Sequence, residues 1–100
     1  MLNGKQRHYL NALAHKLKPV VTLGNAGLTA NVVNEIDQAL SAHELIKVKI
    51  NYGDHPTRLA LSEQIAEQAH CEPVKHIGRV FIYYRAAKKP RIRFSDTDAH

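Results

Sequence analysis

The chain has 100 residues, 44% of them hydrophobic, a net charge of +5 and a single cysteine. That is enough for one domain with its own core, and too apolar for a chain disordered throughout. Cys71 alone excludes an internal disulfide and fits a reducing cytosol, no apolar run approaches the ~20 residues that span a bilayer, and the first residues lack the apolar stretch of a secretory leader, so a cytoplasmic protein without membrane contact is expected.

Residues 5–17 carry Leu10, Leu13, Ala14 and Leu17 at the i, i+3, i+4, i+7 spacing of a buried helical stripe, with Lys5, Arg7, His15 and Lys16 mostly off it. Pro19 ends that helix and pushes Lys18 toward an extended conformation. Val20 to Leu23 is then a short β-branched run expected as a strand. It stops at Gly24-Asn25-Ala26-Gly27, and Thr29 follows as an N-cap, with Leu28 and Val33 placed as a hydrophobic staple. A strand therefore runs through a glycine loop into a helix N-terminus, which turns free N–H groups and a positive dipole end toward phosphate. The same two glycines also suit any tight strand-to-helix connection. The loop lacks the spacing of a dinucleotide fingerprint and the Gly-Lys-Ser/Thr of a nucleotide P-loop.

The second helix, about 30–42, is expected to bury Val32, Val33, Ile36, Ala39 and Leu40. Residues 44–50 alternate, with Leu45, Lys47 and Lys49 on one face and Ile46, Val48 and Ile50 on the other. Asn51 to Asp54 is a loop, and Pro56 suits the first turn of a third helix running to about His70. Val74–Ile77 and Val80–Tyr84 form a hairpin turned near Gly78-Arg79, with one of Tyr83 and Tyr84 in the core and the other exposed. From residue 87 to 100 a loosely ordered basic tail is expected. The order α-β-α-β-α-β-β implies parallel crossovers plus a terminal hairpin, hence an α/β two-layer sandwich on a mixed four-stranded sheet, with helices on one side at least.

Charge is segregated along the chain. Residues 1–34 and 73–94 contain no acid, while seven of the nine acids fall in 35–72 and two in the last six residues. A basic face and a separate acidic one follow, the footprint of a polyanion binder. No enzyme is expected. No histidine pair has zinc-ligand spacing, Cys71 has no elbow or oxyanion donor near it in sequence, and Glu63 and Glu67 make an ordinary solvated helix pair. With six aromatics and no paired stacking motif, recognition through shape and phosphate is expected, with no cofactor and no metal.

Taken together, Lys5-Gln6-Arg7, Ala14 through Val21, Gly24-Asn25-Ala26-Gly27-Leu28-Thr29, Glu35-Ile36, Ala39-Leu40, His43 through Lys49 and Ile77-Gly78 through Tyr84-Arg85 resemble the CRM domain, above all its stand-alone bacterial YhbY-type form. The resemblance covers about residues 2–86 and so sets the expected domain as 1–86. It implies a fold similar to the C-terminal domain of translation initiation factor three. It also implies RNA binding through the glycine loop and flanking basic surface, and association with precursors of the large ribosomal subunit through ribosomal RNA. Relatives often carry a basic residue inside the loop. Here Asn25 and Ala26 stand there, so contact would rest on backbone N–H groups and the Asn25 amide. The RNA-binding residues so implied are Lys5, Arg7, His15, Lys16, Lys18, Gly24, Asn25, Ala26, Gly27, Thr29, Lys47 and Lys49, in a protein expected to be monomeric. The alternative function is a protein-interaction module that docks on ribosomal or translation proteins through its acidic helix faces.

Overall fold

In a computed structural model of the chain, residues 2–94 are described. The elements are α1 (Gly4–Ala14), β1 (Pro19–Leu23), α2 (Ala30–His43), β2 (Leu45–Ile50), α3 (His55–Gln68), β3 (Glu72–Ile77) and β4 (Val80–Tyr84). The sheet order is β1-β2-β4-β3, with β1 and β2 parallel and both β2–β4 and β4–β3 antiparallel. The expected mixed four-stranded sheet is thus present, and β4 enters between β2 and β3 because its hairpin turn is too short for a crossover.

Strand alternation sorts the core into two halves. Val21, Leu23, Ile46, Val48, Ile50, Phe81 and Tyr83 face α2 and α3, meeting Ile36, Leu40, Ile65 and Ala69. Leu45, Ile82 and Tyr84 face the other way and meet Leu10 and Ala14 of α1. The helices expected on at least one side therefore stand on both. α2 and α3 cover one face, and α1 lies on the opposite face over the ends of β2, β3 and β4 that carry Leu45, Val74 and Tyr84. Because of α1, both tyrosines are buried, and the expectation that one would be exposed fails. Tyr83 places its hydroxyl 2.7 Å from that of Ser62 on α3, a buried pair that satisfies both groups.

The first helix is shorter than its pattern. It opens with Asn3 as N-cap in a capping box with Gln6 and ends at Ala14, since Pro19 needs an extended lead-in. Leu10 and Ala14 have no exposed surface, whereas Leu13 and Leu17 remain 39% and 38% exposed. Only half of the predicted stripe reaches the sheet.

The segment after β4 also departs from expectation. Residues 87–94, expected as part of a loose tail, lie against the domain, and residues 95–100 are outside the described residues. Glu44, at the α2–β2 junction with φ +63, is fully buried. Its carboxylate accepts the backbone N–H groups of Ala87 (2.9 Å), Arg91 (2.8 Å) and Ile92 (3.0 Å). Arg91 in turn donates to the Ala42 carbonyl. Ile92 and Phe94 then pack on the α1 half of the core, with the Phe94 ring edge-on to Tyr9 and Tyr84. Burial alone would raise the Glu44 carboxyl, but the three N–H donors and the Arg91 charge outweigh it and hold the group below its ordinary value.

Candidate nucleic-acid interface

The glycine loop is a closed turn. The Gly27 N–H donates to the Gly24 carbonyl at 3.0 Å across Asn25 and Ala26, and Gly27 takes φ +72, a left-handed value that a Cβ would strain. Thr29 caps α2 by accepting the Val32 N–H on its hydroxyl at 3.2 Å. Leu28 and Val32 pack against the core and fix the angle at which the chain enters the helix. Gly24, Asn25 and Ala26 are exposed. The first N–H groups of α2, beside them, are of the kind that helix geometry leaves without intrahelical partners.

Two other connections gather at the same end of the sheet. The Asn51 N–H donates to the Leu23 carbonyl at 2.9 Å, and the Ile50 N–H donates to the Arg79 carbonyl at 2.8 Å. The Arg79 guanidinium donates to the Asn51 side chain. The glycine loop, the 51–54 loop and the hairpin turn are therefore neighbours.

On the α1 face, register sets two rows across the sheet. One runs Pro19, Lys47, Ile82, Lys75, and the next runs Thr22, Lys49, Val80, Ile77. Paired residues share a face, so Lys47 and Lys75 flank Ile82 about 10 Å apart at two strand spacings. α1 leaves the Val80–Ile77 end of this face uncovered, where Ile77 is 60% exposed. Lys75 and Arg79 belong to this surface and were not among the predicted site residues. Their signal was the hairpin register, which could have been counted from the Gly78-Arg79 turn.

The twelve predicted residues divide into three groups. Gly24, Asn25, Ala26, Gly27 and Thr29 form the loop and cap. Lys49 and Lys47 stand on the open sheet. Lys5 and Arg7 are on α1, while His15, Lys16 and Lys18 lie at the corner where α1 meets β1. That corner is one strand length, roughly 16 Å, from the glycine loop, so the two are ends of one surface rather than a single cluster. Two of the predicted cations have internal duties. The Arg7 guanidinium donates to the Pro73 carbonyl, tying α1 to β3. Lys47 donates to the Leu17 carbonyl at 3.0 Å, fastening the α1–β1 connection to β2. The ammonium groups of Lys5, Lys16, Lys18, Lys49 and Lys75 have no hydrogen bond or ion pair among the described residues.

Most of the acids lie elsewhere; Glu72 of β3, opposite Tyr84, is on the α1 side and accepts the Leu2 N–H at 3.1 Å. Glu35 and Asp37 on α2 and Glu63 and Glu67 on α3 are exposed on the helices that cover the other face. Asp37 is engaged by Arg85 at 2.7 Å. Asp54 caps α3 by accepting the Thr57 N–H, and its bonds with Thr57 hold its carboxyl low. Cys71 is buried, which pushes its thiol up to about 12 and leaves it no nucleophilic character at neutral pH. Among the described residues no three His, Cys, Asp or Glu side chains come together as metal ligands would, and no helix is long and apolar enough to cross a membrane.

A small mixed α/β domain with a group of lysines on and beside one face, and four exposed acids on the helices of the other, has the build of a polyanion-binding module. Comparison with known proteins gives the family. The CRS1/YhbY (CRM) domain model matches residues 2–85, and the chain belongs to that family. It is 40% identical to a Haemophilus influenzae protein named "RNA-binding protein", over 92% of this chain and 93% of that one. A Pseudomonas aeruginosa relative named "Probable RNA-binding protein" is 35% identical over 95% of this chain and 91% of its own length. The solution structure of a hypothetical protein from Staphylococcus aureus superposes with a TM-score of 0.79 at 36% identity, covering 89% of this chain and 93% of that one.

Proposed function

We propose that this protein binds structured RNA with its α1 face and glycine-loop end, and that the RNA is ribosomal RNA within precursors of the large ribosomal subunit. The observation that carries the proposal is the surface itself. Five lysines without a partner among the described residues stand on or beside one face, and a glycine turn at a helix N-terminus closes one end of it. The relatives' names support RNA as the polyanion. The resemblance to YhbY-type proteins supports ribosome assembly as the setting, and we propose a monomer acting in the cytoplasm.

In this reading Lys5, Lys16, Lys18, Lys49 and Lys75 take phosphates, while Gly24, Asn25, Ala26 and the start of α2 approach the backbone closely. Arg7 and Lys47 hold α1 and its connection in place. The protein performs no chemistry on the RNA. It holds one conformation until later proteins arrive, and contacts this few in number permit release.

Sedimentation tests the proposal. In a low-salt sucrose gradient the protein should comigrate with immature large subunits more than with mature ribosomes, and wash off at high salt. A variant with Lys16, Lys18 and Lys49 changed to Glu should remain folded and return to the top. Lys47 is left intact because it braces the fold. Sedimentation of the wild type only as free protein in cells assembling ribosomes, or retention of the reversed variant on particles, would count against RNA and favour protein docking through the acidic faces of α2 and α3.

A further inference from the structure

Half of the apolar stripe of α1 has no use in the core. Leu13 and Leu17 are 39% and 38% exposed, and Val20 on the neighbouring strand is 51% exposed. These three, with Ile92 from the docked C-terminal segment, line a cleft of about 480 Å³, within the range of small-molecule sites. Lys16 and Lys18 stand on its rim, as does His43 at the end of α2. No acid lines it. Leu13 lies in the last turn of α1 and Leu17 beyond its end, so the stripe they would continue meets no partner helix face among the described residues.

We infer that this cleft receives one unpaired base of the bound RNA, with the adjoining phosphates held by Lys16 and Lys18; the inference rests on the RNA-binding role proposed above. An apolar floor with cations at its edge complements a nucleotide, which joins a flat, poorly hydrated ring to a charged phosphate. A protein helix docking here would bring its apolar face but would also have to accommodate the Lys16 and Lys18 charges. The imidazole of His43 offers a surface on which a base can stack. The cleft adjoins the cationic corner of the proposed interface, so a base can enter without the strand leaving that surface. A bulged or looped nucleotide is then preferred over continuous duplex, which phosphate contacts alone would not discriminate.

The test uses the full chain and three RNA hairpins that share one stem: fully paired, with a single bulged adenosine, and with an abasic site at the bulge. The wild type should bind the adenosine bulge about tenfold more tightly than the abasic bulge, in keeping with the stacking of one base. A Leu17→Ser/Val20→Thr variant, altered only at exposed side chains, should lose that difference and bind the fully paired hairpin as the wild type does. Equal affinity of the wild type for adenosine and abasic bulges overturns base insertion while leaving RNA binding intact. Discrimination that persists in the variant places base reading elsewhere and overturns the cleft. Binding of none of the three hairpins removes the RNA-binding role itself. A wild type that dimerises by analytical ultracentrifugation, and a variant that does not, would assign the cleft to a second copy of the chain and overturn the proposal.

Discussion

The salt dependence of RNA binding separates cations that meet phosphate from cations that hold the fold. Lys5, Lys16, Lys18, Lys49 and Lys75 have no partner among the described residues, whereas Arg7 and Lys47 donate to the carbonyls of Pro73 and Leu17. Each neutralised phosphate contributes about −0.7 to −0.9 to the log–log slope of affinity against salt, so five free lysines predict a slope of about −4. A fourfold rise in salt should then weaken binding roughly 250-fold. Replacing Lys16 and Lys18 with Ala should bring the slope to about −2.4, and the same rise should cost only roughly 30-fold. Arg7→Ala and Lys47→Ala should behave differently, each destabilising the fold by about 1 kcal/mol through a lost charge-assisted hydrogen bond while leaving the slope nearly unchanged. Fluorescence anisotropy of a labelled hairpin RNA across a salt series gives the slopes, and urea denaturation gives the stabilities. A slope near zero, or an equal drop in slope for Arg7→Ala and Lys16→Ala/Lys18→Ala, would refute the division of labour.

Two further predictions concern the glycine turn and the Glu44 anchor. A Cβ at Gly24 would meet no atom within 4 Å and Gly24 has no positive φ, so Gly24→Ala should leave stability within about 0.5 kcal/mol. It should still weaken RNA binding several-fold if phosphate approaches the loop backbone; unchanged affinity would make the loop a turn only. Gly27→Ala should cost about 1 kcal/mol in chemical denaturation because of its φ of +72, although its Cβ would also meet open space. The Glu44 carboxyl lies below its ordinary value near 4.5, so its stabilisation is complete above that value and lost as pH falls through the lower, folded one. Acid should therefore release the C-terminal segment, seen as faster exchange of the Ala87, Arg91 and Ile92 amides, corrected for the intrinsic effect of pH. Glu44→Gln should do the same at neutral pH and cost about 2 kcal/mol, since an amide nitrogen would face one of three N–H donors. Protected amides in that variant would show that packing of Ile92 and Phe94 alone holds the segment.

Strand alternation at residues 44–50, the hairpin at Gly78-Arg79 and the cap at Thr29 were legible because each depends on near neighbours in sequence. The glycine turn was legible for the same reason. What a side chain meets across the fold was not. The periodicity of Leu10, Leu13, Ala14 and Leu17 marks an apolar stripe without saying that the helix stops at Ala14, so that the last of these leucines leaves it. Arg7 and Lys47 look as free as Lys16 in the sequence, and only packing shows which ones reach a carbonyl. Glu44 sits in the acid-bearing middle of the chain and reads as one more surface charge. Its role depends on three amides more than forty residues away, which no local pattern records.

That anchor sets how the domain can be cut from or joined to other sequence. The family model's match ends at residue 85, two positions before the first amide that the Glu44 carboxylate accepts. A chain trimmed at residue 85 would keep every strand and helix but leave a carboxylate at the α2–β2 junction stripped of its donors. It would also lose the Phe94 ring from the edge of Tyr84. A protein borrowing this domain must therefore carry the strap to Phe94 with it, or supply its own amides to the same acid.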